Sequence, residues 1–234
     1  MVCNVITADK ANRLFWLGRY AERVYISLHL LRRYYDRALD GDSSALEEYY
    51  RYLGMECGVN GKPSCEKFHL AQLYDRENIC SIATSIDLTN DNGIVLRDDI
   101  KSESLSYIQM SKVLLEECAA RSEENITNLQ LITDYMLAFF GSIDERVFDK
   151  RIRKLLKAGK LVENLDLHIR FEYPFFRIEQ AYVKLKDTLV KVGADLDNYA
   201  LEQLDQLIDE SSYAVSDSAY KERVLGYLNS LVLV

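Results

Sequence analysis

Apolar positions recur along most of this chain at three- and four-residue intervals, the spacing of one face of an α-helix. The longest such run spans about Ala8 to Leu39, with Thr7 placed to cap it and Asp40-Gly41-Asp42 to end it. Ser44-Ala45-Leu46-Glu47 has the capping-box pattern and opens a short helix to about Leu53. Gly54 to Ser64, with three glycines and Pro63, reads as a loop. A helix follows from about Cys65 to Tyr74, then a turn at Asp75-Arg76-Glu77-Asn78. From Ile79 to about Leu96 the pattern is helical again, although the weak helix formers Asn90-Asp91-Asn92-Gly93 predict a kink or break. Further helices are predicted from Ser102 to about Ala120 and from Glu123 to Phe140. A second capping box, Ser142-Ile143-Asp144-Glu145, opens a long helix to about Phe171. Pro174 marks a break, the next helix runs to about Val192 with Gly193 as its terminator, and two last helices cover roughly 197–209 and 217–231. No segment alternates with the period of a strand, so the predicted class is all-α.

Within the first run, Asn12 to Val24 carries Gly18 together with Arg19, Glu22 and Arg23. With Gly18 at zero and about 100° per residue, Leu14, Ala21, Tyr25 and Leu28 share one side. Glu22 falls among them, flanked by Arg19 and Arg23. A carboxylate inside an apolar stripe needs a partner or a task, because an unpaired buried charge is too costly. Arg19 precedes Glu22, the poorer orientation within a helix, and such a local pair contributes only about 0.2–0.5 kcal/mol. Glu22 is therefore expected to reach another helix. The pattern returns 141 residues later, where Gly159 takes the place of Gly18, Lys160 of Arg19, Glu163 of Glu22 and Asn164 of Arg23. Two amphipathic helices also resemble each other by chance, but glycine is disfavoured inside helices and needs a packing reason in both. The expectation is a helical bundle whose two long central helices, starting near residues 8 and 144, pack side by side through Gly18 and Gly159.

Composition narrows the chemistry. At 234 residues, 48% of them apolar and only two of them proline, the chain suits a helix-rich globular protein with a substantial core. A formal net charge of −8 and a pI near 5.1 argue against nucleic acid as a partner. Five scattered cysteines and no signal-peptide pattern point to reduced thiols in a cytoplasm. No segment approaches the roughly 18 apolar residues of a membrane span, so no membrane association is expected.

Glu66-Lys67-Phe68-His69 has the Glu-x-x-His spacing of di-iron bundles, but His29 and His168 do not supply the required second motif. Cys57, Cys65 and His69 fit no common zinc spacing. No metal or cofactor is expected. No strand–turn–helix raises a nucleophile and no glycine-rich loop cradles phosphate. The sixteen tyrosines, among them Tyr34, Tyr35, Tyr49, Tyr50 and Tyr52, read either as a stacking surface or as amphipathic core edge. Arg97 leaves an apolar segment, and Asp98 and Ser102 are placed to cap the helix that follows. Arg97 either stands solvated at a helix junction or offers its guanidinium to the central carboxylates.

Three stretches resemble the bacterial alpha-E family, named for a helical domain with a Glu-Arg motif. Leu14 to Arg23 is similar to its opening signature. Asn92, Arg97, Asp98, Ile100 and Glu103 resemble its Asn-x-x-x-x-Arg-Asp-x-Ile-x-x-Glu segment, with Leu105 where tryptophan is usual. Gly159 to Glu163 resembles its second Gly-Arg-x-x-Glu-Arg motif, with Lys160 and Asn164 in place of the arginines. The resemblance favours Arg97 facing the carboxylates, and implies a binding or polar network of Arg19, Glu22, Arg23, Asn92, Arg97, Lys160 and Glu163. It implies one alpha-E-like domain over residues 1–234, with motifs between 8 and 171 and divergent helices over 172–234. It also implies a non-catalytic accessory of peptide-making or peptide-modifying systems, partnered with an ATP-grasp ligase or a transglutaminase-like peptidase. The alternative is an enzyme or small-molecule binder whose Glu, Arg and Lys cluster takes an anionic or amino-acid-like ligand.

Overall fold

The structure, a computed structural model, describes residues 6–54, 65–121, 129–193 and 195–232, with 65–68 described in their backbone alone. Among these residues there are eleven helices and no strand beyond an isolated Leu196–Val232 bridge. In chain order they are α1 (Ala8–Leu39), α2 (Ala45–Leu53), α3 (Cys65–Tyr74), α4 (Ile82–Val95), α5 (Arg97–Ile100) and α6 (Ser102–Ala120). Then follow α7 (Gln130–Arg146), α8 (Lys150–Arg170), α9 (Phe175–Val192), α10 (Asn198–Leu207) and α11 (Ser218–Ser230). The chain is an all-α helical bundle.

Local chemistry accounts for most boundaries. The Thr7 hydroxyl accepts from the Lys10 amide at 3.3 Å and caps α1. Ser81, Asp149, Asp197 and Asp217 cap α4, α8, α10 and α11 in the same way. Pro174 precedes α9, and Gly193 ends it at φ +66°, a conformation that costs glycine nothing.

Some boundaries differ from expectation. Asn90-Asp91-Asn92-Gly93 does not break α4. The Asn92 side chain donates to the Leu88 carbonyl, and Gly93 lies against the side chains of Leu105 and Ile108. The break comes instead at Leu96 and at Lys101, whose φ of +75° is strained for a residue with a Cβ. Asp98 lies inside α5, and neither it nor Ser102 caps α6. Ser44 precedes α2 but makes no side-chain cap; its hydroxyl turns to Asp42 at 2.7 Å. Ser142 opens no helix, because its hydroxyl is bonded to Ser104 of α6 at 2.8 Å and α7 continues through it. The following helix therefore starts at Lys150, not 144. The helix expected from Glu123 is described from Gln130, residues 122–128 lying outside the described set, as does the 55–64 loop.

The helices group into two compact units, Met1–Arg19 with Asp149–Val234, and Tyr20–Phe148. In the second, α6 packs on α7 and α4, and α3 on α4. Tyr34 and Tyr49 are buried there edge to face, with ring centroids 5.4 Å apart. In the first unit α8 packs on α9 and α11, and α10 on α11, around Phe15, Val162, Leu165, Ile178, Leu185, Leu204 and Leu228. Tyr182 and Tyr220 are buried there and donate their hydroxyls to Asp205 and to the Leu207 carbonyl, while Tyr199 is exposed. Tyr34, Tyr49, Tyr182 and Tyr220 are thus core edge.

The same unit contains the crossing of α1 with α8. A Cβ on Gly18 would meet the Leu156 carbonyl, with the carbonyl carbon at 2.9 Å, and one on Gly159 would meet the Phe15 carbonyl, with its carbon at 2.8 Å. Each glycine thus rests on the carbonyl three residues before the other. The obstacles are backbone, so a Gly18→Ala or Gly159→Ala variant must force the helices apart. We expect a loss of about 3 kcal/mol or more, the upper end of overpacking costs. Gly141→Ala and Gly226→Ala meet nothing within 4 Å in their helices and should stabilise by about 0.5–1 kcal/mol. Urea melts of the four variants check this; equal effects would refute the crossing.

Candidate functional site

The residue after Gly18 is Arg19, 4% exposed. Its Nε donates to Glu163 Oε2 of α8 at 2.8 Å, and its Nη1 donates to Asn229 Oδ1 of α11 at 3.0 Å. Its Nη2 lies 3.9 Å from Asp166 Oδ2, and the guanidinium sits 4.8 Å over the Trp16 ring. Glu163 and Asp166 are 1% and 4% exposed. Asp166 in turn accepts from Arg170 Nε at 2.5 Å, and Asn229 is steadied by donating to the Leu225 carbonyl at 2.8 Å. Glu163, Asp166 and Arg170 stand at i, i+3 and i+7, one face of α8. Three helices therefore converge on one guanidinium, whose fixed fork of donors suits several acceptors at once.

Of the residues expected to form the network, the structure brings Arg19 and Glu163 together. Glu22 is buried, 2% exposed, on the part of α1 that belongs to the other unit. Burial and, secondly, the charge of Glu22 push the Tyr25 hydroxyl pKa up. Arg23 is half-buried, its guanidinium 5.5 Å over the Tyr20 ring, and Lys160 is half-buried on α8. Asn92 serves its own helix.

Arg97 corrects the expectation that it faces a buried carboxylate. Its side chain is 66% exposed and its guanidinium lies 3.7 Å from exposed Asp98. Leu96 turns inward at the junction and leaves the next residue to solvent. Asp166, Arg170, Asn229 and Trp16 were not expected at the site. The first two share the face of Glu163, a signal present in the spacing; nothing in the sequence marks Asn229.

In the unit that holds this cluster, burial shapes one histidine. His168 of α8 stacks on Tyr173, ring centroids 4.3 Å apart, and burial with the Arg177 charge pushes its pKa down to about 4. His69 is buried with its ring against Tyr35. Among the described residues no three of His, Cys, Asp and Glu are grouped to hold a metal. Cys57 and the side chains of Cys65 and Glu66 lie outside the described set.

The model of the alpha-E family, a predicted alpha-helical domain with a conserved ER motif, matches residues 8–212. The chain belongs to the alpha-E family. The match runs past residue 171, where the recognisable motifs end, so α9 and α10 are alpha-E helices as well. No curated protein and no solved structure matches the chain. Two Glu-Arg dipeptides lie within the match, Glu22-Arg23 and Glu145-Arg146, and the first stands in the stretch that resembles the family's opening signature. The observed cross-helix pair joins the arginine of the first copy of the repeat, Arg19, to the glutamate of the second, Glu163.

Removing one member of a buried pair strands the other. Glu163→Ala in this alpha-E protein should cost about 3–5 kcal/mol, Glu163→Gln less because it keeps an acceptor, and Arg97→Ala within about 0.5 kcal/mol. Denaturant midpoints rank them; a parent-like Glu163→Ala would show the pair to be dispensable.

His168 gives a pH prediction. Its folded pKa of about 4 lies below the ordinary 6.5, so the unfolded chain takes up its proton first. The stability from a neutral His168 is present above about 6.5 and is lost as pH falls toward about 4. His168→Phe keeps the stack and cannot titrate, so its melting temperature should fall less over that window. Equal falls would refute the assignment.

Proposed function

We propose that this alpha-E protein is a non-catalytic helical accessory of a bacterial, cytoplasmic system that makes or modifies peptides, working beside an ATP-grasp ligase or a transglutaminase-like peptidase. One observation carries the non-catalytic reading. Arg19 and Glu163, the motif side chains best suited to chemistry, are buried and bonded to each other, and Arg19 also contacts Asp166 and Asn229. Groups spent on one another inside a core hold helices in register. The competing reading, an enzyme or small-molecule binder using Glu22 and Glu163, needs those carboxylates to face an opening, and they are 2% and 1% exposed. The choice of partners rests on the family resemblance. No helix of the described residues is long and apolar enough to cross a membrane, which fits a partner met in solution.

The test is affinity purification of the full chain from its source cell, with mass spectrometry of proteins and of small molecules released on denaturation. A ligase or peptidase of the named kinds, in near-stoichiometric amount and without a retained small molecule, is the expected outcome. An anionic ligand retained by the parent and lost from Glu163→Gln would overturn the reading.

A further inference from the structure

Helix α9 carries a seven-residue period on its outward face. Phe176, Val183 and Val190 are 62%, 60% and 76% exposed, while Ile178, Leu185 and Leu189 on the opposite side are buried. One residue after each apolar position comes a cation, Arg177, Lys184 and Lys191. Seven residues drift only about 20° around a straight helix, so the apolar line and the basic line run side by side along the helix. At 18 residues, α9 is roughly 27 Å long. Lys191 is paired with Asp187 at 2.5 Å. Arg177 lies over the rings of Tyr173 and Phe176, and among the described residues neither it nor Lys184 has a carboxylate partner. Single exposed apolar residues are ordinary; three in heptad register beside a line of cations match the edge of a helix–helix interface.

We propose that this face of α9 docks an acidic amphipathic helix of a partner protein, one that offers an apolar residue every seventh position and carboxylates toward Arg177, Lys184 and Lys191. The surface deepens the reading of the chain as an interaction protein and rests on it. The charges argue against a second copy: antiparallel pairing about Val183 sets Lys184 against Lys184 and Arg177 against Lys191, like charges that repel. They also argue against a lipid surface. The apolar line is one residue wide, Glu179 and Asp187 lie on the same exposed arc, and a bilayer requires no seven-residue period.

The full chain is titrated against a labelled, designed helical peptide of three heptads, with leucine along one line and glutamate on its flanks. A twin peptide has lysine for glutamate. The acidic peptide should bind and the lysine peptide should not. Val183→Glu should weaken binding by about tenfold or more, and Arg177→Glu with Lys184→Glu should switch preference to the lysine peptide. All three positions are exposed, and thermal melts confirm that the variants fold. Absence of binding by the acidic peptide, or indifference to Val183→Glu, overturns the proposal. So does a homodimer that Val183→Glu abolishes in sedimentation, or binding to phosphatidylglycerol vesicles that it abolishes. If such a result accompanies an intact complex from the source cell, the α9 surface fails and the accessory reading stands; if that complex is absent while the peptide switch holds, the accessory reading fails.

Discussion

The backbone contact between α1 and α8 at Gly18 and Gly159 governs the first unit, because nothing can be inserted there without moving a carbonyl group. Side chains usually hold helix axes 8–10 Å apart; two facing glycines remove that spacer. The contact is reciprocal, each glycine sitting on the carbonyl three residues before the other, at Phe15 and Leu156. Reciprocity fixes both the rotation and the register of the pair. A slide of either helix would drive a side chain into backbone.

The electrostatics follow from that register. Arg19 stands one residue beyond its glycine and Glu163 four beyond its own, and at this crossing their side chains meet at 2.8 Å. Burying charges is costly, and the cost is met here by pairing, by the amide oxygen of Asn229 and by the Trp16 face. Lysine could not replace this guanidinium, since an ammonium is a point charge without the planar fork. Such a cluster adds little net stability over an apolar core, and its contribution is to select one arrangement of α1, α8 and α11.

The alpha-E segment from Asn92 to Glu103 does a different kind of work. It forms the corner between α4, α5 and α6, with Ile100 fully buried and Leu105 lying against Gly93. The polar members Arg97, Asp98 and Glu103 point to solvent. In this half the motif fixes a turn, and Lys101 at φ +75° bears its strain.

Helix content, most helix ends and the pairing of Gly18 with Gly159 were legible in the chain, because periodicity, caps and a glycine inside a helix act locally or leave a local cost. The boundary near residue 142 was misread for a tertiary reason: the Ser142 hydroxyl, available to cap a helix in isolation, is bonded to Ser104 from 38 residues away. Asn90 to Gly93 stayed helical for the same reason, since packing against α6 outweighs weak propensity. A helical wheel placed Glu22 and Glu163 inside, and both are buried. It could not assign partners, because which guanidinium meets which carboxylate depends on the crossing. Arg19 rather than Arg97 meets Glu163, and Asn229, 210 residues from Arg19, joins them only once α11 has packed on α8.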